Sequence, residues 1–175
     1  AFEHQRPEWL KAVIFNTRKE LFNDLRVREA LNMAFPYDWV NQTLFHNQLK
    51  VTQSVFANSE LAASAQTASK IPERQRLRKA VGLLKEAGWS VENGVLQKDG
   101  QVFAFEILLS NPDDEKIALS FVRSLEKLGI KASVRPVDSA QFLGRLNDYD
   151  YDMVFYRWIN SLSPGNEQYV YWGSG

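Results

Sequence analysis

A strand–helix–strand pattern in the middle of the chain constrains the fold more than any other feature. Residues 103–109 alternate with a period of two, which is typical of a strand. A helix over 113–128 follows, with an N-cap, a proline in its first turn and acidic side chains at the positive end of its dipole. Residues 132–137 form a second strand, which Pro136 places at an edge. Such a helix between two strands predicts a right-handed crossover, and therefore an α/β domain with a mixed sheet. The side chains expected on the buried face of the helix are Ile117, Phe121, Leu125 and Leu128.

The first half of the chain predicts one strand and three helices. Residues 9–16 read as a buried strand, and Asp24 occupies an N-cap position ahead of a helix over 25–35. A short helix is predicted over 38–45, and a longer one over 74–87. The longer helix is expected to bury one apolar side made of Leu77, Ala80, Val81 and Leu84.

Turn and loop signals organise the remainder. Asp99-Gly100 predicts a two-residue turn, and we expect one hairpin over 95–109. Asp138, with Gln141 three residues later, predicts a capping box for a helix through Leu146. Residues 62–73 are small and polar without a period, which predicts a loop.

Residues 149–168 combine a strand pattern with a polar segment. Tyr151, Met153 and Phe155 are expected on one face of the strand, and Asp152, Val154, Tyr156 and Trp158 on the other. Apolar side chains on both faces indicate a strand inside the sheet. Neutral polar residues follow, and ligands in open α/β sheets collect beyond the carboxyl ends of strands. The segment therefore predicts a strand that delivers a polar loop to a ligand site, although spacing alone favours a core strand followed by a surface turn. The neutral groups of the predicted site are Trp158, Asn160, Ser161, Ser163 and Asn166.

Composition excludes several classes of function. Lys plus Arg and Asp plus Glu number 21 each, so no net field favours nucleic acid, and the RQRLRK run reads as a solvated helix face. The absence of cysteine excludes disulfides, thiolate metal sites and a cysteine nucleophile. The sequence has no apolar run of membrane-spanning length and no signal-peptide pattern. With 45% hydrophobic residues, the 175-residue chain is expected to form one globular domain, and both ends look cut, as in an excised domain.

No combination of residues indicates catalysis or a resident metal. His4 and His46 are far apart, without a nucleophile or a set of metal ligands nearby. Asp148, Asp150 and Asp152 would share one face of a strand but lack the glycine turn and distal glutamate of a calcium loop, so a helix end followed by a strand start is the better interpretation. Phosphate-binding loops and nucleophile elbows are absent from the sequence. We expect no enzyme activity and no cofactor.

Four segments together resemble the second lobe of family 5 extracellular solute-binding proteins, the oligopeptide and dipeptide receptors of ABC importers. In order they are FNDLRVREALNMAF; AVGLLKEAGW with NGVLQKDGQVFAFEILL; FVRSLEKLGIKASVRPVD; and YDMVFYRWINSLSP. FNTRKELFNDLRVREAL, SVFANSELAA and SPGNEQYVYWGSG resemble a branch that includes receptors for microcin C and other peptide-like cargo. The resemblance covers nearly the whole chain but about a third of a full receptor. It implies one lobe of a bilobal type II (cluster C) protein with its ligand cleft between the lobes.

The resemblance also implies a biological setting. It points to a periplasmic, monomeric, non-catalytic receptor that binds oligopeptides or peptide-like cargo and delivers it to an inner-membrane ABC permease, without nucleic acid. The alternative is a ligand-sensing domain of the same family in a cytoplasmic transcriptional regulator, and the flanking sequence would separate the two.

The sequence departs from the family pattern in two places. Peptide receptors of the family carry an aspartate three residues after the strand tryptophan, where it pairs with the terminal ammonium of the peptide, whereas Ser161 stands here. Because a buried ammonium requires a partner, cargo is anchored elsewhere, through Glu167 or the other lobe, or its amino end is blocked or outside the cleft. Relatives of the branch also carry a longer insertion near 62–73, so these residues mark a natural shortening or a place where residues have been dropped.

Overall fold

The computed structural model describes residues 10–50, 54–56, 71–158, 165–166 and 168–169. The strands in these residues are β1 (Leu10–Phe15), β2 (Ser90–Glu92), β3 (Val95–Lys98), β4 (Gln101–Val102), β5 (Ala104–Leu109), β6 (Lys131–Pro136) and β7 (Met153–Trp158). The helices are α1 (Leu25–Ala34), α2 (Tyr37–Trp39), α3 (Glu73–Glu86), α4 (Glu115–Glu126) and α5 (Ser139–Asn147). A π-helical turn over Val40–Leu44 continues α2, and 3-10 turns occupy Glu20–Phe22 and Pro112–Asp114.

Side-chain caps fix the starts of the helices that the sequence predicted. Asp24, Asn111 and Asp138 each accept a hydrogen bond from a backbone amide two or three residues later, at 2.8 to 3.0 Å. Each bond satisfies one of the amides that a helix start leaves without an internal partner. Gly88 and Gly129 follow α3 and α4 with φ of +90° and +77°, a conformation that glycine adopts without a steric penalty. The predicted N-caps are therefore confirmed, and at Asp138 the observed bond is the one that its own side chain accepts.

The main sheet has the strand order β1-β7-β5-β6. Strand β5 pairs in parallel with β6 from Ala104 opposite Lys131 onward, and in parallel with β7 at Ile107 opposite Met153. Strand β1 is antiparallel to β7. The backbone amide of Asn16, directly after the end of β1, donates to the carbonyl of Asp152, directly before the start of β7, at 2.9 Å. The sheet is therefore mixed, and β7 lies inside it. The predicted pair of parallel strands joined by a helix is confirmed, with β6 at the edge.

A second, smaller sheet corrects the predicted hairpin. Asp99-Gly100 forms the expected turn with φ of 51° and 79°, but it joins β3 only to the two-residue strand β4. Strand β5 then leaves for the main sheet, so the prediction of one hairpin over 95–109 was wrong. The alternation of apolar residues did not predict this change of sheet, because Phe103 is fully buried at the point where it occurs and so continues the apolar pattern. A further turn at Asn93-Gly94 joins β2 to β3.

Helices cover both faces of the main sheet. On one face α1, α3 and α4 bury a large apolar cluster against β5 and β7. On the other face α5 covers a smaller cluster. Side chains as large as Phe121 in the first cluster contribute about 1.5–3 kcal/mol each through burial. The buried members of the smaller cluster are Leu108, Phe142, Tyr151 and Val154.

Two side chains differ from the predicted faces. Val81 is 50% exposed, because α3 buries the narrower stripe that contains Ala80 and Leu84. Tyr151 packs with Val154 in the smaller cluster, although the alternation placed it with Met153. Strand β7 begins only at Met153, so the two-residue period does not extend back to Tyr151. The assignment of Met153 and Val154 to opposite faces is confirmed.

The chain divides into two compact units. Residues 13–49 and 70–155 form the unit that holds both apolar clusters. Residues 1–12, 50–69 and 156–175 form the other, in which the described parts include the last three residues of β7 and a turn around Asn166. None of the helices in the described part of the chain is both long and apolar enough to span a membrane.

Candidate functional site

The amino end of β7 is fixed by a buried asparagine. Asn16 is 3% exposed, and its Nδ2 donates to the carbonyls of Tyr149 at 2.9 Å and of Tyr151 at 2.8 Å. Its Oδ1 accepts from the amide of Arg18 at 3.2 Å. Tyr149 has a φ of 54°, which is uncommon for a residue with a side chain. These bonds hold the turn that leads into β7 in one conformation.

Asp152 adds a second connection at the same place. Its Oδ2 accepts from the backbone amide of Glu106 at 2.8 Å, and its Oδ1 lies 2.5 Å from Nζ of Lys19. Asp148 ends α5 and Asp150 pairs with Arg145, so these two carboxylates do not share a strand face with Asp152. Within the described residues there is no group of three or more residues suited to hold a metal ion. The interpretation of these residues as a helix end followed by a strand start is confirmed, because Asp148 caps the end of α5 and Asp152 directly precedes β7.

An open groove of about 420 Å³ lies beside these residues, but its carboxylates already have partners. It is lined by Ala104, Phe105, Glu106, Lys131, Ala132, Ser133 and Asp152. The carboxylate of Glu106 lies 3.2 Å from Arg145 and 3.5 Å from Arg135. Both carboxylates of the groove, those of Glu106 and Asp152, are therefore ion-paired within the chain.

The carboxyl end of β7 is aromatic. Tyr156 and Trp158 lie on the same side of the strand, because successive side chains alternate. Their ring centroids are 4.9 Å apart at an interplanar angle of 66°, an edge-to-face contact. Both side chains are half-buried, and Arg157 between them is exposed. The end of the strand thus presents a half-buried tryptophan in contact with a neighbouring aromatic ring.

The structure describes two of the six predicted ligand-binding residues. Trp158 ends β7, and Asn166 is exposed in a turn where its carbonyl accepts from the amide of Tyr169 at 3.1 Å. The prediction that the six residues form one surface stays a prediction. The other members lie outside the described residues: Asn160, Ser161, Ser163 and Glu167.

Sequence reasoning also missed an arginine that turns inward. The RQRLRK run was expected to be solvated, yet the side chain of Arg76 is only 15% exposed, with Nη2 3.4 Å from the carboxylate of Asp38. Its guanidinium carbon lies 5.8 Å from the ring centre of Tyr37, and burial raises the pKa of that tyrosine. Arg74 and Arg78 are exposed, as expected. The helical periodicity of the sequence predicts an inward position for Leu77, but it does not show that Arg76, and not Arg74 or Arg78, also turns inward.

Comparison with known proteins gives a consistent result. Residues 3–175 match the family model for bacterial extracellular solute-binding proteins, family 5, middle region. The chain is 37% identical to a protein of Brucella suis over 205 residues, which are 99% of this chain and 33% of that protein. It is 35% identical to the peptidoglycan-binding protein YepA of Agrobacterium fabrum, over 99% of this chain and 33% of that one.

A solved structure shares the fold. The oligopeptide-binding protein AppA of Bacillus subtilis, in complex with a nonapeptide, superposes with a TM-score of 0.79 and 26% identity over 94% of this chain and 33% of that one. The chain thus spans about a third of the length of the relatives that it matches. The stretch of 205 matched residues in the Brucella protein is longer than this 175-residue chain, so that relative carries residues that are lacking here.

Proposed function

Because the chain belongs to family 5 of the bacterial extracellular solute-binding proteins, whose members bind solutes for ABC importers and are not enzymes, we propose that it forms one lobe of a bilobal peptide receptor. The cargo is a peptide or peptide-like molecule held between the lobes and delivered to an inner-membrane ABC permease. Family members are periplasmic in Gram-negative bacteria, and we propose the same location here. No described residue favours the alternative of a sensor in a transcriptional regulator.

The observation that carries the proposal is the contrast along β7. The turn that leads into the strand is held by hydrogen bonds from the side chain of Asn16, whereas the strand ends in the half-buried aromatic residue Trp158. A strand that ends in a half-buried indole, with neutral polar residues after it in the sequence, suits cargo with alternating backbone donors and acceptors. AppA is in complex with a nonapeptide and YepA is named a peptidoglycan-binding protein, and these two similar proteins support the proposal of peptide or peptide-like cargo.

The experiment that tests this proposal starts from the full-length receptor. Native mass spectrometry of the purified protein is expected to show a bound peptide-like mass, which denaturation releases for sequencing. Calorimetry with synthetic peptides then measures affinity, for which micromolar dissociation constants correspond to about 8 kcal/mol. A protein that carries no peptide-like mass, and binds none of a peptide panel at millimolar concentration, would contradict the proposal.

Ser161→Asp tests how the cargo is anchored. The substitution restores the carboxylate that the resemblance assigns to receptors for free peptides. We expect it to strengthen binding of peptides with a free amino terminus and to weaken binding of N-acetylated forms, because a desolvated carboxylate needs a cationic partner. Ser161→Asn is the matched control, since it has a similar size without charge. Equal affinities of both peptide forms for the Asp variant and the parent would remove Ser161 from the site.

A further inference from the structure

The guanidinium of Arg76 turns inward from the first turn of α3, and its hydrogen bonds are incomplete. Its Nε is buried and has no hydrogen-bond partner among the residues that the structure describes. Its Nη2 donates to a carboxylate oxygen of Asp38 at 3.4 Å, which is longer than the usual range of about 2.7–3.2 Å. A guanidinium carries five N–H donors, and buried polar groups ordinarily have partners. A buried donor that the described part of the chain does not satisfy therefore requires an explanation.

The surroundings of this guanidinium are aromatic and partly desolvated. Its central carbon lies 5.8 Å from the ring centre of Tyr37, and that ring lies 4.7 Å from the ring of Phe35, which in turn contacts the buried ring of Phe121. Burial raises the pKa of Tyr37, because the site disfavours a charge that water would otherwise solvate. The hydroxyl of Tyr37 donates to Asn32 at 2.8 Å, so it already has a partner. A cation in such a place gains more from a counter-charge than an exposed cation does.

Asp38 is a poor counter-charge for Arg76. Its carboxylate is 73% exposed and bonds only one nitrogen of the guanidinium. Nε and Nη2 donate from the same edge of the planar group, in the fork geometry that matches the two oxygens of a carboxylate. Neither oxygen of Asp38 bonds to Nε, so this donor has no acceptor within the described residues. A long contact to an exposed carboxylate contributes little, because water competes for the carboxylate.

We propose that the edge of Arg76 that carries Nε and Nη2 is a binding site for a carboxylate other than that of Asp38. A carboxylate fits better than a neutral acceptor such as water, because it accepts from both donors and neutralises a partly desolvated charge. Two sources offer this chemistry: an acidic side chain from the about two-thirds of the receptor that lie outside this chain, and a small soluble carboxylate. The site includes neither β7 nor the residues proposed to contact cargo, so the inference does not depend on the proposed cargo.

Three substitutions isolate this edge of the guanidinium. Arg76→Lys keeps the charge and removes Nε together with the planar fork. Asp38→Asn removes the carboxylate that the described residues place at Arg76, and the exposure of this position leaves the packing intact. The matched control is Arg74→Gln, which removes an exposed arginine two residues earlier on the same helix.

The measurement is NMR of the full-length receptor with nitrogen-15 at Nε of its arginines. Loss of a signal in Arg76→Lys and in Arg74→Gln identifies the Nε–H signals of these two arginines. A charge-assisted bond to a carboxylate is expected to move the proton of Arg76 downfield of the exposed reference, Arg74. Sodium acetate is the soluble probe, and sodium chloride at equal ionic strength controls for screening.

The outcomes separate the two sources and the failure of the proposal. If a side chain of the receptor is the source, the Arg76 signal lies downfield before any addition, acetate does not move it, and Asp38→Asn leaves it in place. If a soluble carboxylate is the source, acetate moves the signal with saturation in roughly the millimolar range while chloride does not, and Asp38→Asn tightens acetate binding about threefold because a competing carboxylate is gone. A downfield signal that returns to the Arg74 position in Asp38→Asn would overturn the proposal, because Asp38 itself would then be the partner. A signal at the Arg74 position that acetate does not move would overturn it equally and leave water as the partner.

Discussion

The two ends of β7 are held by different kinds of interaction. At the amino end, Met153 and Val154 are fully buried, pair with β5, and follow a turn held by the side-chain amide of Asn16. At the carboxyl end, Tyr156 and Trp158 are half-buried and contact each other through their rings. Hydrogen bonds between buried groups define one arrangement, whereas ring contacts leave surface accessible. One strand therefore combines a buried, hydrogen-bonded start with a half-buried aromatic end.

The largest expected effect belongs to the buried end. Met153 has no exposed surface and packs in the larger apolar cluster. Met153→Ala removes this packing and leaves a cavity, which is expected to lower the free energy of unfolding by about 2–5 kcal/mol. Urea denaturation measures the loss. A change below about 0.5 kcal/mol would show that the start of β7 is not part of the core.

Asn16→Ala tests the hydrogen bonds rather than the packing. The variant leaves the carbonyls of Tyr149 and Tyr151 without their side-chain donor, and unsatisfied buried groups cost about 1–3 kcal/mol in total stability. Hydrogen exchange of the amides in residues 149–154 is expected to speed up more than exchange in α4. Asn16→Asp is the sharper companion, because it keeps the shape but places a carboxylate against two carbonyl oxygens. Unchanged exchange in both variants would mean that the turn is held by other contacts.

The smallest expected effect comes from a cap far from β7 in sequence, which provides a stability-only control. Hydrogen bonds from the side chain and backbone amide of Arg26 lower the pKa of Asp24 to about 2. Because the pKa of Asp24 is lower in the folded state, its ionised carboxylate stabilises the fold at pH values above the ordinary pKa of the group. This stabilisation is lost as the pH falls through about 2. Asp24→Asn is therefore expected to lower the urea midpoint slightly at pH 7, with the difference from the parent shrinking between pH 4 and pH 2. A difference that stays constant over that range would contradict the role of the ionised cap.

Much of the fold follows from local patterns in the sequence. The strand–helix–strand unit of β5, α4 and β6 was predictable because alternation, an N-cap, a helical stripe and Pro136 all agree there. The caps at Asp24 and Asp138 were predictable because their bonds reach only two or three residues along the chain. Consistent local signals of this kind are what allow a sequence to specify its elements.

The features that escaped prediction depend on contacts between distant residues. The chain changes sheets at Phe103 without any interruption in its apolar alternation. Asn16 acts on carbonyls 133 and 135 positions away, and Arg76 turns toward an aspartate 38 positions away. Local periodicity contains no information about such partners. The candidate site was predictable only in part. The strand pattern indicated Trp158, but it did not show that the ring of Tyr156 would contact the indole edge-to-face.

The central claim is that the carboxyl end of β7 serves cargo while its amino end serves the fold, and Trp158→Ala in the full-length receptor tests it most directly. The control is Trp39→Ala, which removes a 43% exposed indole from α2. Calorimetry with the peptide that the parent binds best, together with urea denaturation, is expected to show Trp158→Ala weakening the affinity about tenfold to a hundredfold, with less than about 1 kcal/mol lost in stability. Trp39→Ala is expected to leave the affinity unchanged. A Trp158→Ala variant that binds peptide as the parent does, and loses only stability, would show that this end of the strand belongs to the core and that the cargo site lies elsewhere.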